Sequence, residues 1–196
     1  MIVLSSSSQT RRKLLAQTGL YFKTAKPPVD EAIIKTKLKN AGANAEQVAD
    51  NLAESKANSV AAILPGAFVI GADQMLECEG VWFDKPANRE GARDHLRKLR
   101  GKTHRLITAT VIAHEGRIVW RRIDIAEMTM RNFSDEFLDQ YLDKAGEGAV
   151  RSVGAYELEG AGAQLFDKVE GDFFSILGLP LIPLLAALRE SGALPK

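Results

Sequence analysis

The stretch from 68 to 74 reads Phe68-Val69-Ile70-Gly71-Ala72-Asp73-Gln74, an apolar run that ends on a carboxylate. Short apolar runs of this kind predict buried strands. In α/β folds ligands bind outside the carboxyl ends of strands, and the small residues before Asp73 would let a ligand approach the backbone. A carboxylate that only ends a strand in a turn fits the same pattern. The stretch therefore predicts a buried strand, and Asp73 is the first candidate for chemistry.

Helical and strand patterns alternate on both sides of this strand. Before it we predict strands at 1–4 and 21–25, a helix from Arg11 to Gln17 that Thr10 or Ser8 caps, and a helix at 45–62. After it we predict a hairpin return strand at 81–82, a helix at 89–100, long strands at 105–113 and 117–130, a helix that starts at Ser134, and a closing helix at 180–190. Alternation combined with adjacent long strands favours an α/β fold with a mixed sheet. We expect one domain over residues 1–196.

Composition excludes several classes of protein. The 196 residues carry 26 basic and 25 acidic side chains, and the net charge of +1 gives no support to nucleic-acid binding. The longest apolar run, Ile176 to Leu188, is broken by glycine and proline and is shorter than the roughly 20 residues that a membrane span needs. No basic segment precedes an apolar stretch at the start, so we expect no signal peptide. With Cys78 as the only cysteine, an intrachain disulfide is excluded, and we expect a cytoplasmic protein.

Four consecutive hydroxyls, Ser5 to Ser8, separate the first predicted strand from the first predicted helix. Hydroxyls and backbone N–H groups at a helix start can hold an anion, and the helix dipole helps them. The basic cluster Arg11 to Lys13 follows directly. This segment therefore predicts an anion-binding loop, whereas the second basic cluster, Arg93 to Lys102, is better explained as the solvated face of a helix.

The common nucleotide and metal motifs are absent from the sequence. No P-loop pattern occurs, and Gly160-Ala161-Gly162 lacks the third glycine and the following helix of a dinucleotide fingerprint. His95, His104 and His114 lack metal-ligand spacing and are better explained as surface or strand residues. Cys78 fits a small buried hydrophobe better than a nucleophile.

Several polar motifs, each weak alone, occur together in an order and spacing that resembles the Maf family. Glu31, Lys56 and Lys85 would each pass for surface residues if they stood alone. The matching segments extend from Leu4 to Leu188 and include Leu4-Ser5-Ser6-Ser7-Ser8-Gln9-Thr10-Arg11-Arg12-Lys13-Leu14-Leu15, Val29-Asp30-Glu31, Glu54-Ser55-Lys56-Ala57, Gly71-Ala72-Asp73-Gln74, Lys85-Pro86, Gly154-Ala155-Tyr156, Glu159-Gly160, Gly171-Asp172 and Gly178-Leu179-Pro180-Leu181.

This resemblance implies a two-lobed Maf/inosine-triphosphatase-like α/β fold with a long mixed central sheet and a nucleotide cleft between the lobes. It also implies hydrolysis of a nucleoside triphosphate to the monophosphate and pyrophosphate, a house-cleaning reaction that depends on Mg or Mn. Asp73 matches the family's proton acceptor, which activates water, and Glu31 matches an acid that shares the metal or the water. The family's phosphate-binding positions fall on Ser6, Ser8, Arg11, Lys56 and Lys85.

Gln74 and Glu159 match the positions that discriminate between substrates in the family. Members acting on thymidine and uridine triphosphates typically have threonine and glutamine there, whereas those acting on 7-methyl-GTP have glutamine and glutamate. A carboxylate can accept hydrogen bonds from the N1–H and amino groups of guanine, a donor pair that pyrimidines lack. Thr10 departs from the pattern, because the 7-methyl-GTP group usually has an aromatic residue there. The resemblance therefore implies a modified purine triphosphate, with broader specificity than in relatives that have the aromatic.

Two other hypotheses stay open at this point. The first is a non-catalytic nucleotide-binding regulator of cell division or septum formation, a role long attached to the family's name. The second is an unrelated α/β binding domain whose motifs match by chance. The presence of Asp73 together with several cations favours the enzyme, since sensing alone would not require a base. The oligomeric state also stays open, a homodimer included.

Overall fold

The computed structural model describes residues 1–195, and most of this chain lies in helices and strands. In chain order the elements are β1 (Ile2–Ser5), α1 (Gln9–Gln17), β2 (Lys23–Ala25), α2 (Glu31–Asn40), α3 (Ala45–Ala61), β3 (Phe68–Cys78), β4 (Val81–Phe83), α4 (Arg89–Leu99), β5 (Thr103–His114), β6 (Arg117–Met130), α5 (Asp135–Ala145), α6 (Gly148–Arg151), β7 (Phe166–Glu170), α7 (Phe173–Ile176) and α8 (Leu181–Glu190). Short 3-10 turns at Val153–Ala155 and Ala161–Leu165 connect α6 to β7. No helix among residues 1–195 combines the length and the apolar character needed to cross a membrane.

The seven strands form one mixed sheet, as the sequence predicts. Their order is β2-β1-β3-β5-β6-β7, and β4 pairs with β3 off this path. β1 is parallel to both β2 and β3, whereas β4 is antiparallel to β3 and β7 is antiparallel to β6. The hairpins at Glu79-Gly80 and Glu115-Gly116 both turn through residues with positive φ, which tight hairpin turns require.

Most predicted elements are confirmed, and one prediction about Asp73 is wrong. The sequence predicts that the strand ends at Asp73, but β3 continues to Cys78. The reason is a change of pairing partner along the strand. β1 pairs with β3 only as far as Ser5 opposite Gly71, and the hairpin with β4 occupies β3 from Leu76 onward. Asp73 therefore lies within β3 but past the end of β1.

Two compact units make up the described chain. The first contains residues 1–74, 108–124 and 172–195, and its apolar core joins Leu4 and Ile70 of the sheet to Leu15 of α1 and Leu184 of α8. On the other face of β3, α3 packs through residues that are fully buried, Val48, Ala49, Leu52, Ala53, Ala57 and Val60. The first unit is thus a three-layer arrangement with helices on both faces of the sheet.

The second unit contains residues 75–107 and 125–171. The basic cluster of α4 faces α5 in this unit. Arg93 pairs with Asp139 at 2.8 Å, and Arg100 pairs with Asp135 at 2.8 Å. Hydrogen bonds from Arg97 and then Arg100 lower the pKa of Asp135 to about 2. The cluster that the sequence assigns to a solvated face is therefore also an ion-paired contact between two helices.

Candidate active site

A close approach of α3 to β3 sets the geometry around Asp73. Gly71 has no side chain, and a Cβ placed there would lie 2.8 Å from both N and Cβ of Ala57 and nearer still to the Ala53 carbonyl oxygen. The hydroxyl of Ser5, in the register position opposite Gly71, donates a hydrogen bond of 2.6 Å to the Lys56 carbonyl oxygen. Only glycine permits this spacing, which fixes the helix turn that carries Lys56.

Lys56 and Asp73 form a buried ion pair because strand alternation places Gly71 and Asp73 on the same face of β3. Lys56 Nζ lies 2.6 Å from Asp73 Oδ1, and the two side chains are 6% and 8% exposed. The same Nζ lies 2.9 Å from Glu31 Oε1 at the start of α2, where the glutamate is 55% exposed. Lys56 thus joins a buried carboxylate to a solvent-facing one.

Burial has the largest influence on the pKa of the Asp73 carboxyl. It raises the pKa of the Asp73 carboxyl above its usual range, while the positive charges of Lys56 and then Arg11 oppose this shift. A carboxylate that has lost its hydration is a stronger base than one in water. The position is therefore suited to accepting a proton, a requirement for general-base chemistry.

Arg11 is anchored by backbone carbonyls next to this carboxylate. Its Nε donates to Gly178 O and its Nη1 donates to Ala72 O, both at 2.9 Å. A Cβ at Gly178, where φ is +105°, would lie 3.0 Å from Arg11 Nε. Burial lowers the pKa of Arg11, and the negative charges of Asp73 and Glu31 oppose the shift. Two of its three nitrogens are thus held by carbonyls, which fixes the plane of the guanidinium and the direction of Nη2.

The hydroxyl-rich loop is a helix cap, as the sequence predicts for Ser8. Ser8 Oγ accepts a hydrogen bond from Arg11 N at 3.3 Å, and Ser6 Oγ accepts one from Ser8 N at 3.1 Å. Thr10, the alternative cap, lies inside α1. The loop between β1 and α1 therefore has hydroxyls and helix N–H groups close together, which is the arrangement expected of an anion site.

Gln74 extends from the face of β3 opposite to Asp73. Its Nε2 donates to Thr108 Oγ1 at 2.8 Å and to Ile176 O at 3.0 Å, with Ser175 O at 3.3 Å. The Ser175 hydroxyl in turn lies 2.9 Å from Asp172 Oδ1 and 3.1 Å from Asp124 Oδ2. Gln74 therefore belongs to a polar network of the first unit, a feature that its position beside Asp73 in the sequence does not reveal.

Lys85 and Glu159 belong to the second unit. Lys85 is exposed in the segment between β4 and α4, and Glu159 is exposed in a turn at 158–160. Their assignments to phosphate and to the nucleobase stay predictions. The structure therefore brings together Arg11, Lys56, Asp73 and Glu31 of the predicted site, with Ser6 and Ser8 in the loop before α1.

Ser5 is a contributor that the sequence does not single out. It is one of four consecutive serines, and only the register with Gly71 distinguishes it from its neighbours. Thr108 and Ser175 are similar cases, since their contacts with Gln74 join residues far apart in the chain. Strand alternation could have placed Ser5 on the α3 side of β1, but no sequence signal marks the other two.

Comparison with known proteins agrees with the order of motifs in this chain. A family model described as Maf-like protein matches residues 1–191. The chain is 55% identical over 192 residues to a nucleoside triphosphate pyrophosphatase of Paramagnetospirillum magneticum, covering 98% of this chain and 99% of the relative. It is 45% identical over 193 residues to a 7-methyl-GTP pyrophosphatase of Rhizobium etli, covering 98% and 97%. A 7-methyl-GTP pyrophosphatase of Brucella suis is 48% identical over 189 residues, covering 96% and 95%. Because the family model matches nearly the whole length of this chain, the chain belongs to the Maf family.

Proposed function

We propose that this protein is an enzyme that hydrolyses a nucleoside triphosphate to the monophosphate and pyrophosphate. The observation that carries the proposal is the buried Lys56 ammonium shared by Asp73 and Glu31, at 2.6 Å and 2.9 Å. Burying a charged pair is expensive and adds little to stability, so its presence here needs a chemical reason. The names of the relatives in Paramagnetospirillum magneticum and Rhizobium etli support the same activity.

Asp73 is the general base in this mechanism. Burial raises its pKa, so that it can take a proton from water attacking a phosphorus atom. Lys56 holds the carboxylate through Oδ1, which leaves Oδ2 to accept the proton. The lysine also supplies a positive charge beside the reacting phosphate, where charges fixed in advance stabilise the transition state.

The triphosphate binds at the loop between β1 and α1. Ser6 and Ser8 supply hydroxyls there, and Arg11 supplies Nη2 from a guanidinium already held by two carbonyls. Because Arg11 is fixed before the substrate arrives, little side-chain entropy is lost on binding. Lys85 completes the set of phosphate-binding cations in the proposal.

A magnesium or manganese ion fits the donor set on this face of β3. Hard divalent cations prefer oxygen ligands, and Asp73 and Glu31 would supply carboxylate oxygens from either side of the Lys56 ammonium. Among residues 1–195 no group of three or more histidine, cysteine or acidic side chains is placed to hold a metal, so a bound ion would need phosphate oxygens and water as its other ligands. Mg²⁺ commonly binds in this way, with one or two carboxylates and the substrate's phosphates. When bound, such an ion offsets charge on the triphosphate.

We further propose that the substrate is a guanine-type triphosphate, with 7-methyl-GTP as the first candidate. Glu159 can accept hydrogen bonds from the two N–H donors of guanine, which uracil and thymine lack. Relatives named 7-methyl-GTP pyrophosphatase, at 45% and 48% identity, support this choice. We also propose a cytoplasmic location, which the single cysteine, Cys78, buried as a free thiol, supports because such a thiol suits a reducing compartment.

Asp73→Asn tests the assignment of the base. The amide keeps the size of the side chain but cannot take a proton, so kcat should fall about 100-fold or more while the fold is retained. Asp50→Asn is the matched control, because Asp50 is a partly buried carboxylate on α3 that pairs with Arg121 instead. Pyrophosphate release by both variants is measured with Mg²⁺, with Mn²⁺ and with chelator. Near-wild-type turnover by folded Asp73→Asn would remove Asp73 from the mechanism, and full turnover in chelator would exclude the metal.

A panel of normal, methylated and oxidised triphosphates tests the substrate. The wild type should prefer 7-methyl-GTP over UTP and dTTP, and Glu159→Gln should lower that preference by roughly tenfold. A wild type that prefers UTP or dTTP contradicts the roles of Gln74 and Glu159 but leaves the role of Asp73 intact. Absence of pyrophosphate release from every triphosphate would instead favour a nucleotide-binding regulator.

A further inference from the structure

Backbone contacts of the residues on either side of Glu159 stabilise the turn that carries it. Gly160 N donates to Glu157 O at 3.2 Å, which closes the turn. Gly162 packs against the same residue so closely that a Cβ there would lie 2.9 Å from the Glu157 carbonyl carbon. Glu159 is exposed at this turn, so its direction depends on how the residues before it are fixed.

Tyr156 lies directly before the turn, and its side chain is fixed by its surroundings. Its ring is 4% exposed and packs edge-on against Phe166, with centroids 4.9 Å apart. A Cβ at Gly154 would lie 2.6 Å from Tyr156 Cε1, so the ring rests against a backbone position that only glycine can occupy. The hydroxyl lies 2.8 Å from His104 Nε2 on β5 and 3.3 Å from Met128 Sδ on β6.

The protons of this buried group can be assigned by counting donors. We assign the single proton of the Tyr156 hydroxyl to Met128 Sδ, so that its oxygen accepts from His104 Nε2–H. His104 Nδ1 is then a bare acceptor, and it has no hydrogen-bond partner among residues 1–195. The reverse arrangement would leave a buried N–H without a partner, which is rarer than an unsatisfied acceptor. Both strands therefore hold the Tyr156 hydroxyl in a single position.

The residue before Tyr156 is also held in place. Ala155 adopts φ +64°, a left-handed backbone conformation that residues other than glycine rarely adopt. Tyr141 OH donates to its carbonyl oxygen at 2.9 Å. Strained backbone persists only where its surroundings enforce it, and it clusters at functional sites. Nothing in the proposed chemistry at Asp73 requires this arrangement.

We propose that His104 and Tyr156 are positioning residues for substrate selection, which hold the Glu159 turn so that its carboxylate meets the guanine edge. The inference rests on the proposed role of Glu159. It extends the determinants of specificity to a buried pair that touches no substrate. Loss of the Tyr156 hydroxyl should loosen the turn and weaken discrimination, while the chemistry at Asp73 continues.

Tyr156→Phe is the informative variant, because it removes one oxygen and keeps the ring. We expect kcat/KM for 7-methyl-GTP to fall about threefold to tenfold, chiefly through KM, and kcat/KM for UTP to change less than about twofold. His104→Gln should keep most of the wild-type ratio, since its amide can donate to the same hydroxyl. Ile112→Val, which removes one methylene from the core of the first unit, is the control for a general loss of stability and should leave the ratio unchanged.

Hydrogen exchange measures the same positioning without substrate. The amides at 157–162 should exchange faster in Tyr156→Phe than in wild type or in Ile112→Val. An unchanged substrate ratio in Tyr156→Phe, with a wild type that does prefer 7-methyl-GTP, would overturn the inference and leave the proposed function standing. A wild type without that preference would overturn the proposed substrate and this inference together.

Discussion

Gly71→Ala tests the contact between α3 and β3 on which the site depends. The new methyl group would lie 2.8 Å from two atoms of Ala57 and closer to the Ala53 carbonyl oxygen. Ordinary contact needs about 3.5 Å, so the helix must retreat by roughly 1 Å. Overpacking of this kind costs about 1–3 kcal/mol, and because the contact is with rigid backbone we expect about 3 kcal/mol for Gly71→Ala. For a chain of this size the melting temperature should fall by about 6–12 °C.

The same retreat should separate Lys56 from Asp73. Adding roughly 1 Å to the 2.6 Å between Nζ and Oδ1 exceeds hydrogen-bonding distance. A misplacement of this size can cost about 100-fold in rate, so kcat measured well below the melting temperature should fall by that order. Gly91→Ala in α4 is the matched control, because its Cβ would meet nothing closer than 3.4 Å and alanine favours helix. If Gly71→Ala melts and turns over like wild type, the close approach of α3 does not hold the site together.

Three further perturbations test other parts of the structure. Glu31→Gln removes a negative charge that raises the pKa of Asp73. The acid limb of the pH profile of kcat/KM should therefore move to lower pH in this variant. A shift of that limb to higher pH would contradict the electrostatics of the site. Burial lowers the pKa of His104 from 6.5 to about 4. Between these pH values the unfolded chain binds a proton that the native state excludes. The free energy of unfolding should therefore fall by up to about 3 kcal/mol as pH falls from 6.5 towards 4. Urea unfolding at several pH values checks this, and His104→Gln should flatten the slope. Asn44→Ala removes the capping box of α3, which should cost about 1 kcal/mol in a melting experiment without changing kcat.

Periodicity made most of the fold predictable, and two of the elements that it missed, α2 and β7, show its physical limit. α2 has no fully buried residue, and its apolar stripe is limited to Ile34 and Leu38, which are only partly buried. Its start is nevertheless defined by Asp30, whose side chain accepts from Ala32 N and Ile33 N. β7 is exposed along almost all of its length and shows no alternation. Elements that bury few apolar side chains show only a weak hydrophobic periodicity in the sequence.

The candidate site was predictable in its members but not in its connections. The order of motifs in the sequence brought out Asp73, Lys56 and Glu31, although no spacing rule shows that one ammonium joins the two acids. That contact depends on Gly71 and on the register of β1, which are tertiary features. The opposite directions of Asp73 and Gln74, by contrast, follow from the two-residue repeat of a strand and could have been stated in advance.

Arg11 has a consequence for how the protein is made. Its Nε is held by Gly178 O, a partner 167 residues later, and the core beside it includes Leu181, Leu184 and Leu188 of α8. During synthesis the amino-terminal strands and helices emerge first, but the guanidinium lacks one of its carbonyl partners until Gly178 has left the ribosome. Such long-range closure slows folding, because a large loop must be ordered before its contacts form. Premature termination before Gly178 should therefore yield a chain in which the Arg11 side chain lacks its Nε partner.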